Sequence, residues 1–488
     1  MMDLEEFRKR GHELVDWMAD YFSTIESHPV KPDVRPGEII AQLPPSPPET
    51  SECFDVIFSD FQNVIMPGVT HWQHPGFMAY FNANNSFPSV LAEMLTATIG
   101  AQCMIWQTSP AAAELEERVM EWTRELIGLP DNFTGVIQDT ASTATLCSLL
   151  TARETFSEWN INEHGVSASD ASDHPLIVYC SSEAHSSIEK AVKIAGLGRE
   201  HLRKIPVDHE YALIPEQLET AILQDIATGN RPLAVIAAMG TTGSSAVDPI
   251  DEIGTICQRH GIWLHVDAAY AGTGLVLPEL RWMSKGIEKA DSFVFNPHKW
   301  MFTNFDCSAY FVKDPEALIR TFEILPEYLK TRERGEVNDY RDWGVPLGRR
   351  FRALKLWFVL RSFGSDGIRA KVRDHIEWAR ELAEEIDSQD DFEVLAPVPL
   401  ALICFRYVPP TLLHDQNGSS HPNEPIELNE VNARLLEAIN STGKLYLTHT
   451  KLDDRYCIRI NIGQTNVERR HVEDAWELVR KTAREITP

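Results

Sequence analysis

At the start of the chain, hydrophobic positions recur at helical spacing. Leu4, Phe7, Leu14, Val15, Met18 and Phe22 share one face, with charged residues between them, which predicts an amphipathic helix. Gly11 weakens that helix slightly. The pattern then breaks. Between residues 28 and 48 stand seven prolines, at 29, 32, 36, 44, 45, 47 and 48. Such a run forms neither a regular helix nor a central strand. An arm of this kind cannot bury its apolar face alone and is expected to pack across another subunit. From about residue 85 to about 365, helical patterns alternate with short apolar runs, most clearly at 176–180, 233–238, 262–266, 292–295 and 309–312. That alternation predicts an α/β domain on a largely parallel sheet. Beyond 366 the pattern changes to a charged amphipathic helix (368–386), strands at 400–407 and 456–462, and a final helix, as in a smaller α+β domain. The polar, turn-rich stretch 409–425 reads as a mobile surface loop. The expected division is an N-terminal helical arm (1–84), a large α/β domain (85–365) and a small C-terminal domain (366–488). No internal repeat is visible.

Length and charge narrow the function. A chain of 488 residues exceeds one compact core and suggests two or three packed domains. No run approaches the ~18 apolar residues that span a bilayer. The opening Met1-Met2-Asp3-Leu4-Glu5-Glu6 is acidic, where a secretory or transit peptide is basic. A formal charge of −27 argues against nucleic acid or anionic membranes as partners, and solubility is its plainest explanation. Eight cysteines are scattered without a C-x-x-C pair, so no zinc site or other metal is expected. They fit the reduced thiols of a cytoplasm.

The chemistry gathers at strand ends. The run Ser292-Phe293-Val294-Phe295-Asn296-Pro297-His298-Lys299 ends on a lysine that stands 32 residues after Asp267, itself the end of the apolar run 262–266. A lysine there is costly to leave charged and unpaired. An aldehyde cofactor resolves this, because a lysine anchors pyridoxal phosphate (PLP) through a Schiff base and a carboxylate keeps its ring nitrogen protonated. The plain alternative is a lysine that snorkels to solvent. His185 follows the run 176–180 and could stack on a cofactor ring, or simply be a loop histidine. Gly240-Thr241-Thr242-Gly243 follows the run 233–238 in the same topological position. Four strand ends (His185, Thr242, Asp267, Lys299) thus carry polar residues, and ligands of open α/β sheets bind at those ends. Thr140-Ala141-Ser142-Thr143-Ala144-Thr145, just before an expected helix at 146–154, could hold a phosphate at a helix N-terminus or serve as ordinary capping. Asn296 and His298 could add donors.

On these residues the chain resembles a fold-type I, group II PLP-dependent decarboxylase of the aromatic L-amino acid decarboxylase family. The likeness runs nearly end to end, through His71-Trp72-Gln73-His74-Pro75, Ser109-Pro110, Ala184-His185-Ser186-Ser187, His265-Val266-Asp267-Ala268-Ala269-Tyr270, Asn296-Pro297-His298-Lys299-Trp300, Asn304-Phe305-Asp306-Cys307-Ser308 and Pro346-Leu347-Gly348-Arg349-Arg350-Phe351-Arg352. The resemblance implies a large PLP-binding domain with a mostly parallel seven-stranded sheet. It implies that Lys299 holds the cofactor, Asp267 pairs with the ring nitrogen and His185 stacks on the ring. Ala141, Ser142, Asn296 and His298 would lie at the phosphate, with Thr242 beside the cofactor. Tyr328 matches the tyrosine of the family's catalytic loop, and the charged stretch 331–338 after it matches a lid. Trp72, Tyr80 and Phe81 match the aromatic substrate pocket. Residues 101–104, with Gln102 and Met104, match a wall contributed by the partner of a homodimer, and Gly348 matches a position left small for larger rings. Asp139 stands where many relatives have glycine, Asn82 where proline is usual, and Gln102 and Met104 where apolar or aromatic residues are common.

The implied reaction is loss of CO₂ from an aromatic L-amino acid (DOPA, tyrosine, tryptophan, 5-hydroxytryptophan or phenylalanine), giving the arylalkylamine. One rival is an O₂-using aldehyde synthase on the same scaffold, in which the tyrosine or histidine is typically replaced. A second is an acidic amino-acid decarboxylase, which needs cations for a distal carboxylate. A third is a non-catalytic PLP-fold scaffold, which would not need Lys299, Asp267, His185 and Tyr328 together.

Overall fold

The computed structural model describes residues 2–155, 159–166, 173–324, 336–410 and 424–486. Seven strands form one sheet: β1 (Thr134–Gln138), β2 (Leu176–Ser181), β3 (Leu202–Ile205), β4 (Arg231–Ala238), β5 (Trp263–Asp267), β6 (Ser292–Phe295) and β7 (Ser308–Val312). Their order is β1-β7-β6-β5-β4-β2-β3. β7 runs antiparallel to both neighbours, and every other pair is parallel. This is the mostly parallel seven-stranded α/β sheet expected above.

The central strands read as unbroken apolar runs because both faces of the sheet are covered. Ile177, Tyr179, Val235, Ala237, Leu264, Val266, Phe293 and Phe295 enter one buried cluster, while Val178, Cys180, Ala234 and Ile236 enter another. Three strands that carry no apolar run escaped the sequence pattern: β3, β8 (Phe392–Val394) and β10 (Thr448–Leu452). β3 is Leu-Arg-Lys-Ile on the sheet edge, and β10 is Thr-His-Thr-Lys-Leu on the edge of a second sheet. That sheet is antiparallel throughout, in the order β10-β11-β9-β8, with β8 at Phe392–Val394, β9 at Leu402–Tyr407 and β11 at Arg455–Asn461.

Two helices depart from expectation. The helix placed at 146–154 runs over Ala141–Thr155, so Ala141 and Ser142 form its first turn instead of preceding it. Thr140 makes the earlier start possible: its Oγ1 accepts from the Thr143 N–H at 3.3 Å, and its carbonyl from the Ala144 N–H at 3.1 Å. The helix placed at 368–386 belongs to a longer one, Arg352–Asp387, which turns at Gly364, whose φ of +64° lies in the left-handed region.

The first helix, Leu4–Ser23, is capped by Asp3, whose carboxylate accepts from the Glu6 N–H at 2.8 Å. None of its residues is buried. Residues 73–85 are tied to the turn after β11: Asn461 N–H donates to the Met78 carbonyl, Gln464 Nε2 to the Gln73 carbonyl, and Asn461 Nδ2 to Asn82 Oδ1.

Candidate active site

The carboxyl ends of neighbouring parallel strands bring the expected residues together. Ala238, the last residue of β4, is in register with Asp267, and Asp267 with Val294 of β6. One residue beyond β6, Asn296 begins the turn into the four-residue helix Pro297–Trp300, which carries His298 and Lys299. Ala268 N–H donates to the Val294 carbonyl and Asn296 N–H to the Ala269 carbonyl, so the two loops are locked side by side.

Lys299 is half-buried, and among the described residues its Nζ has neither a carboxylate nor a hydrogen-bond acceptor. It lies 5.4 Å from the centroid of the Phe81 ring. Burial lowers its pKa from the ordinary 10.5, with the Asp267 carboxylate opposing the shift. Asp267 Oδ1 accepts from the Ala269 N–H at 3.0 Å, which fixes the carboxylate while leaving its other oxygen open. His185 leaves β2 with an exposed ring. Its Nδ1 accepts from the Ser187 N–H at 3.1 Å, so the neutral ring carries its proton on Nε2. Partial desolvation lowers its pKa, with Asp267 opposing and Lys299 adding to the shift.

The residues expected at the phosphate are donors waiting for an acceptor. Ala141 and Ser142 stand in the first helical turn, where backbone N–H groups lack intrahelical partners. His298 Nδ1 accepts from the Cys307 N–H at 2.9 Å, so the neutral ring carries its proton on Nε2, and burial holds its pKa down to about 3. Ser308 Oγ donates to Asn296 Oδ1, which leaves the Asn296 amide nitrogen free to donate. Asp139 turns back on the chain: its Oδ1 accepts from the Thr140 N–H at 2.6 Å. Thr242 is exposed and its carbonyl is engaged by Arg459. Among the described residues, a lysine without a partner, a carboxylate with an open oxygen, an uncovered imidazole and a turn of spare N–H groups fit PLP.

Trp72, Tyr80 and Phe81 fall in two groups, and only Phe81 has a contact with Lys299 among the described residues. Trp72 stacks on Tyr80 at 5.8 Å and packs at a tilt against Phe77 at 4.3 Å. Tyr80 takes a φ of +54°, unusual for its bulk, with its N–H on Thr448 Oγ1 at 3.3 Å. Phe81 instead stacks on Tyr270 at 3.9 Å, and Tyr270 on Trp300 at 4.6 Å. Gln102, Met104 and Gly348 form a separate patch. Gln102 Oε1 accepts from the Arg349 N–H at 2.6 Å, the Met104 carbonyl accepts from the Arg341 N–H at 2.9 Å, and a Cβ at Gly348 would sit 3.2 Å from Gln102 Nε2. Among the described residues, no hydrogen bond or ring contact joins this patch to Lys299, Trp72, Tyr80 or Phe81. Tyr328 and residues 331–335 of the expected lid lie outside the described residues.

Sequence reasoning passed over Arg459. It is buried at 4% exposure, its guanidinium carbon lies 5.5 Å from the Phe81 centroid, and it donates to the Thr242 carbonyl (2.7 Å), the Gly243 carbonyl (3.2 Å) and Thr448 Oγ1 (3.1 Å). Among the described residues it has no carboxylate partner. The signal was present, since Arg459 interrupts the apolar strand Cys457-Ile458-Arg459-Ile460 just as Lys299 ends one.

Known proteins match the chain over nearly its whole length. Residues 36–408 match the pyridoxal-dependent decarboxylase conserved domain. Tryptophan decarboxylase 2 of Oryza sativa subsp. japonica is 41% identical, over 99% of this chain and 96% of that protein. Phenylacetaldehyde synthase of Arabidopsis thaliana is 42% identical, over 99% and 96% respectively. The crystal structure of Oryza sativa TDC with PLP and tryptamine superposes with a TM-score of 0.93 at 35% identity, over 100% of this chain and 99% of that one. With its sheet, its strand-end lysine and these relatives in agreement, the chain belongs to the pyridoxal-dependent decarboxylase family.

Proposed function

We propose that this enzyme removes CO₂ from an aromatic L-amino acid and releases the arylalkylamine. The observation that carries the reading is the Lys299 amine, unpaired among the described residues and 5.4 Å from the Phe81 ring at the strand end beside Asp267. When bound, PLP supplies a conjugated ring that takes up the electron pair left by departing CO₂. Lys299 holds that cofactor covalently, and Asp267 keeps its ring nitrogen protonated. His185 covers one face, while Ala141, Ser142, Asn296 and His298 hold the phosphate and Thr242 stands beside it. Arg459 meets the substrate carboxylate: a buried guanidinium with only neutral acceptors gains from one anionic partner. An acidic substrate would need a second such cation. Trp72, Tyr80 and Phe81 form the wall for the aromatic ring, and Tyr328 returns the proton to Cα.

The smallest active species is a homodimer. Phe87, Leu91, Leu95 and Ile99 fall four residues apart on the helix Phe87–Ile99 and are 46–60% exposed. Phe22 of the first helix packs edge-on against Phe87 at 5.1 Å, which joins this ridge to exposed Leu4, Phe7 and Val15. An apolar surface of that extent fits a second copy of the chain. The patch of Gln102, Met104 and Gly348 then serves the partner's site. The arm (1–84), large domain (85–365) and small domain (366–488) are the units of this assembly. All eight cysteines are free thiols, as in a cytoplasm. Among the described residues no helix is long and apolar enough to cross a membrane.

The 42% identity to a phenylacetaldehyde synthase raises one other outcome on the same scaffold, oxidation to an aldehyde. Such enzymes typically replace one or the other of the residues at His185 and Tyr328; both are present here and favour the amine. A competition assay with DOPA, tyrosine, tryptophan, 5-hydroxytryptophan and phenylalanine, with glutamate assayed in parallel, reading CO₂, amine and aldehyde together, decides. Amine in proportion to CO₂ supports the proposal. Aldehyde as the main product under air, or turnover of glutamate alone, overturns it.

A further inference from the structure

The helix that carries Lys299 is a single turn, Pro297–Trp300. A helix this short cannot hold itself, because one turn of hydrogen bonds does not offset the cost of ordering it. Its last carbonyls also lack intrahelical partners. In this protein a residue far away in sequence supplies them. The Asn84 backbone N–H donates to the His298 carbonyl at 2.9 Å, and Asn84 Nδ2 donates to the Lys299 carbonyl at 2.5 Å.

The rest of the Asn84 amide is also engaged. Nδ2 donates its second hydrogen to the Gly463 carbonyl at 2.6 Å, and Oδ1 accepts from the Thr465 N–H at 2.8 Å and lies 3.0 Å from Thr465 Oγ1. Asn84 is 1% exposed, so none of these bonds is replaceable by bulk water. One side chain therefore ties together three segments: residues 82–86, the lysine-bearing turn and the turn after β11. Lys299 has the opposite need at its tip. Among the described residues its Nζ is free of partners, and it must move during turnover, so the backbone beneath it has to be fixed from elsewhere.

We propose that Asn84 is a positioning residue for Lys299, capping the carbonyls of the lysine-bearing turn and so setting where Nζ meets the cofactor. The proposal rests on Lys299 as the cofactor-bearing residue. Side chains that cannot donate at this point let the turn shift, and the angle between lysine and cofactor shifts with it.

The test compares Asn84→Ala, Asn84→Asp and Thr465→Val in the holoenzyme. Asn84→Asp keeps the shape and the acceptor for Thr465 but replaces the N–H donors to Lys299 and Gly463 with carboxylate oxygens. Thr465→Val loosens the same junction from its far side without touching Lys299. Three readouts are taken: the visible absorption and circular dichroism of the lysine-bound cofactor, the pH midpoint of that band, and kcat and KM separately. Both Asn84 variants are expected to shift the pH midpoint by half a unit or more, change the dichroism, and lower kcat about tenfold or more with KM within about twofold. Thr465→Val is expected to lower the thermal midpoint alone. If Asn84→Ala does not fold, Asn84→Asp carries the test. A wild-type band and kcat in a folded Asn84 variant overturn the positioning role and leave Asn84 a structural residue. A wild-type holoenzyme with no borohydride-sensitive band overturns the cofactor assignment itself, which is a different failure.

Discussion

A lysine kept free for chemistry costs stability before the cofactor arrives, and Lys299→Met exposes that cost. Methionine retains the length of the stem and removes the ammonium. In the apo-protein the wild-type Nζ has no acceptor among the described residues, and a buried unsatisfied donor costs about 1–3 kcal/mol. The Phe81 ring at 5.4 Å gives back about 0.5–1 kcal/mol as a cation–π contact. The nearby Asp267 carboxylate gives back a further part. The net expectation is an apo Lys299→Met protein more stable than apo wild type by about 1 kcal/mol. For a chain of this length that is about 1–2 °C in Tm, scaled from smaller domains. The pH dependence fixes the cause. Burial lowers the folded pKa of Lys299 below 10.5, so the penalty is fully present below the folded value. It is relieved as pH rises from there toward 10.5, because over that window the unfolded chain binds more protons than the native one. The Tm gap between variant and wild type, followed by differential scanning fluorimetry of both apo-proteins, should therefore shrink as pH rises toward 10.5. Turnover in the variant should fall by several orders of magnitude, since no neighbouring amine can replace Nζ. A variant less stable than wild type, or a gap independent of pH, would refute an unpaired buried lysine.

Asp267→Asn keeps the shape but removes the charge at the cofactor ring, and should lower the rate by about 10²-fold while weakening PLP binding; equal rates and PLP Kd values would make Asp267 structural only. Arg459→Met should lower kcat/KM by roughly 10- to 150-fold, the worth of one hydrogen-bonded charge contact. Binding of the amine product should be unchanged, and a parallel loss for amine and amino acid would argue against a carboxylate contact. Tyr328→Phe should still release CO₂, but with aldehyde, ammonia and hydrogen peroxide formed from O₂ and water in place of amine; amine at the wild-type rate would move the proton-donor role to His185. Acid should destabilise the fold. His74, His265, His298 and His375 are held at about 4, 4, 3 and 3 by burial. The unfolded chain protonates them near 6.5, so stability is lost as pH falls from about 6.5 toward 4, with Asp248, raised to about 6 by burial, offsetting part of it. A Tm that stays flat between pH 6.5 and 4.5 would contradict this.

Strand-end chemistry was legible because it violates the pattern around it. Lys299 and Asp267 each terminate an apolar run, and the parallel sheet that those runs predict brings such ends together. Arg459 carries the same kind of signal, but inside a strand of the smaller sheet, whose relation to the large one no periodicity reveals. Asn84 carries none: in Asn82-Ala83-Asn84-Asn85-Ser86 nothing marks which amide reaches across the fold, and only the tertiary path of the chain selects it. The helix expected at 146–154 was placed five residues late at its start, at Leu146 instead of Ala141, for a local reason. Four of the six residues from Thr140 to Thr145 are Thr or Ser, weak helix formers, yet Ala141, Ala144 and Thr145 are buried, so tertiary packing overrides their propensity. Edge strands β3, β8 and β10 were invisible because strands with one solvent-facing side need few apolar residues.

The central claim, that Lys299 is the residue carrying the cofactor, is tested most directly by borohydride reduction of the yellow holoenzyme, proteolysis, and mass mapping of the cofactor adduct. The account predicts one reduced cofactor per chain, on the peptide containing Asn296-Pro297-His298-Lys299-Trp300, with loss of the visible band and of activity in the same proportion. An adduct on a different lysine, or a fully active enzyme that carries no adduct, would contradict it.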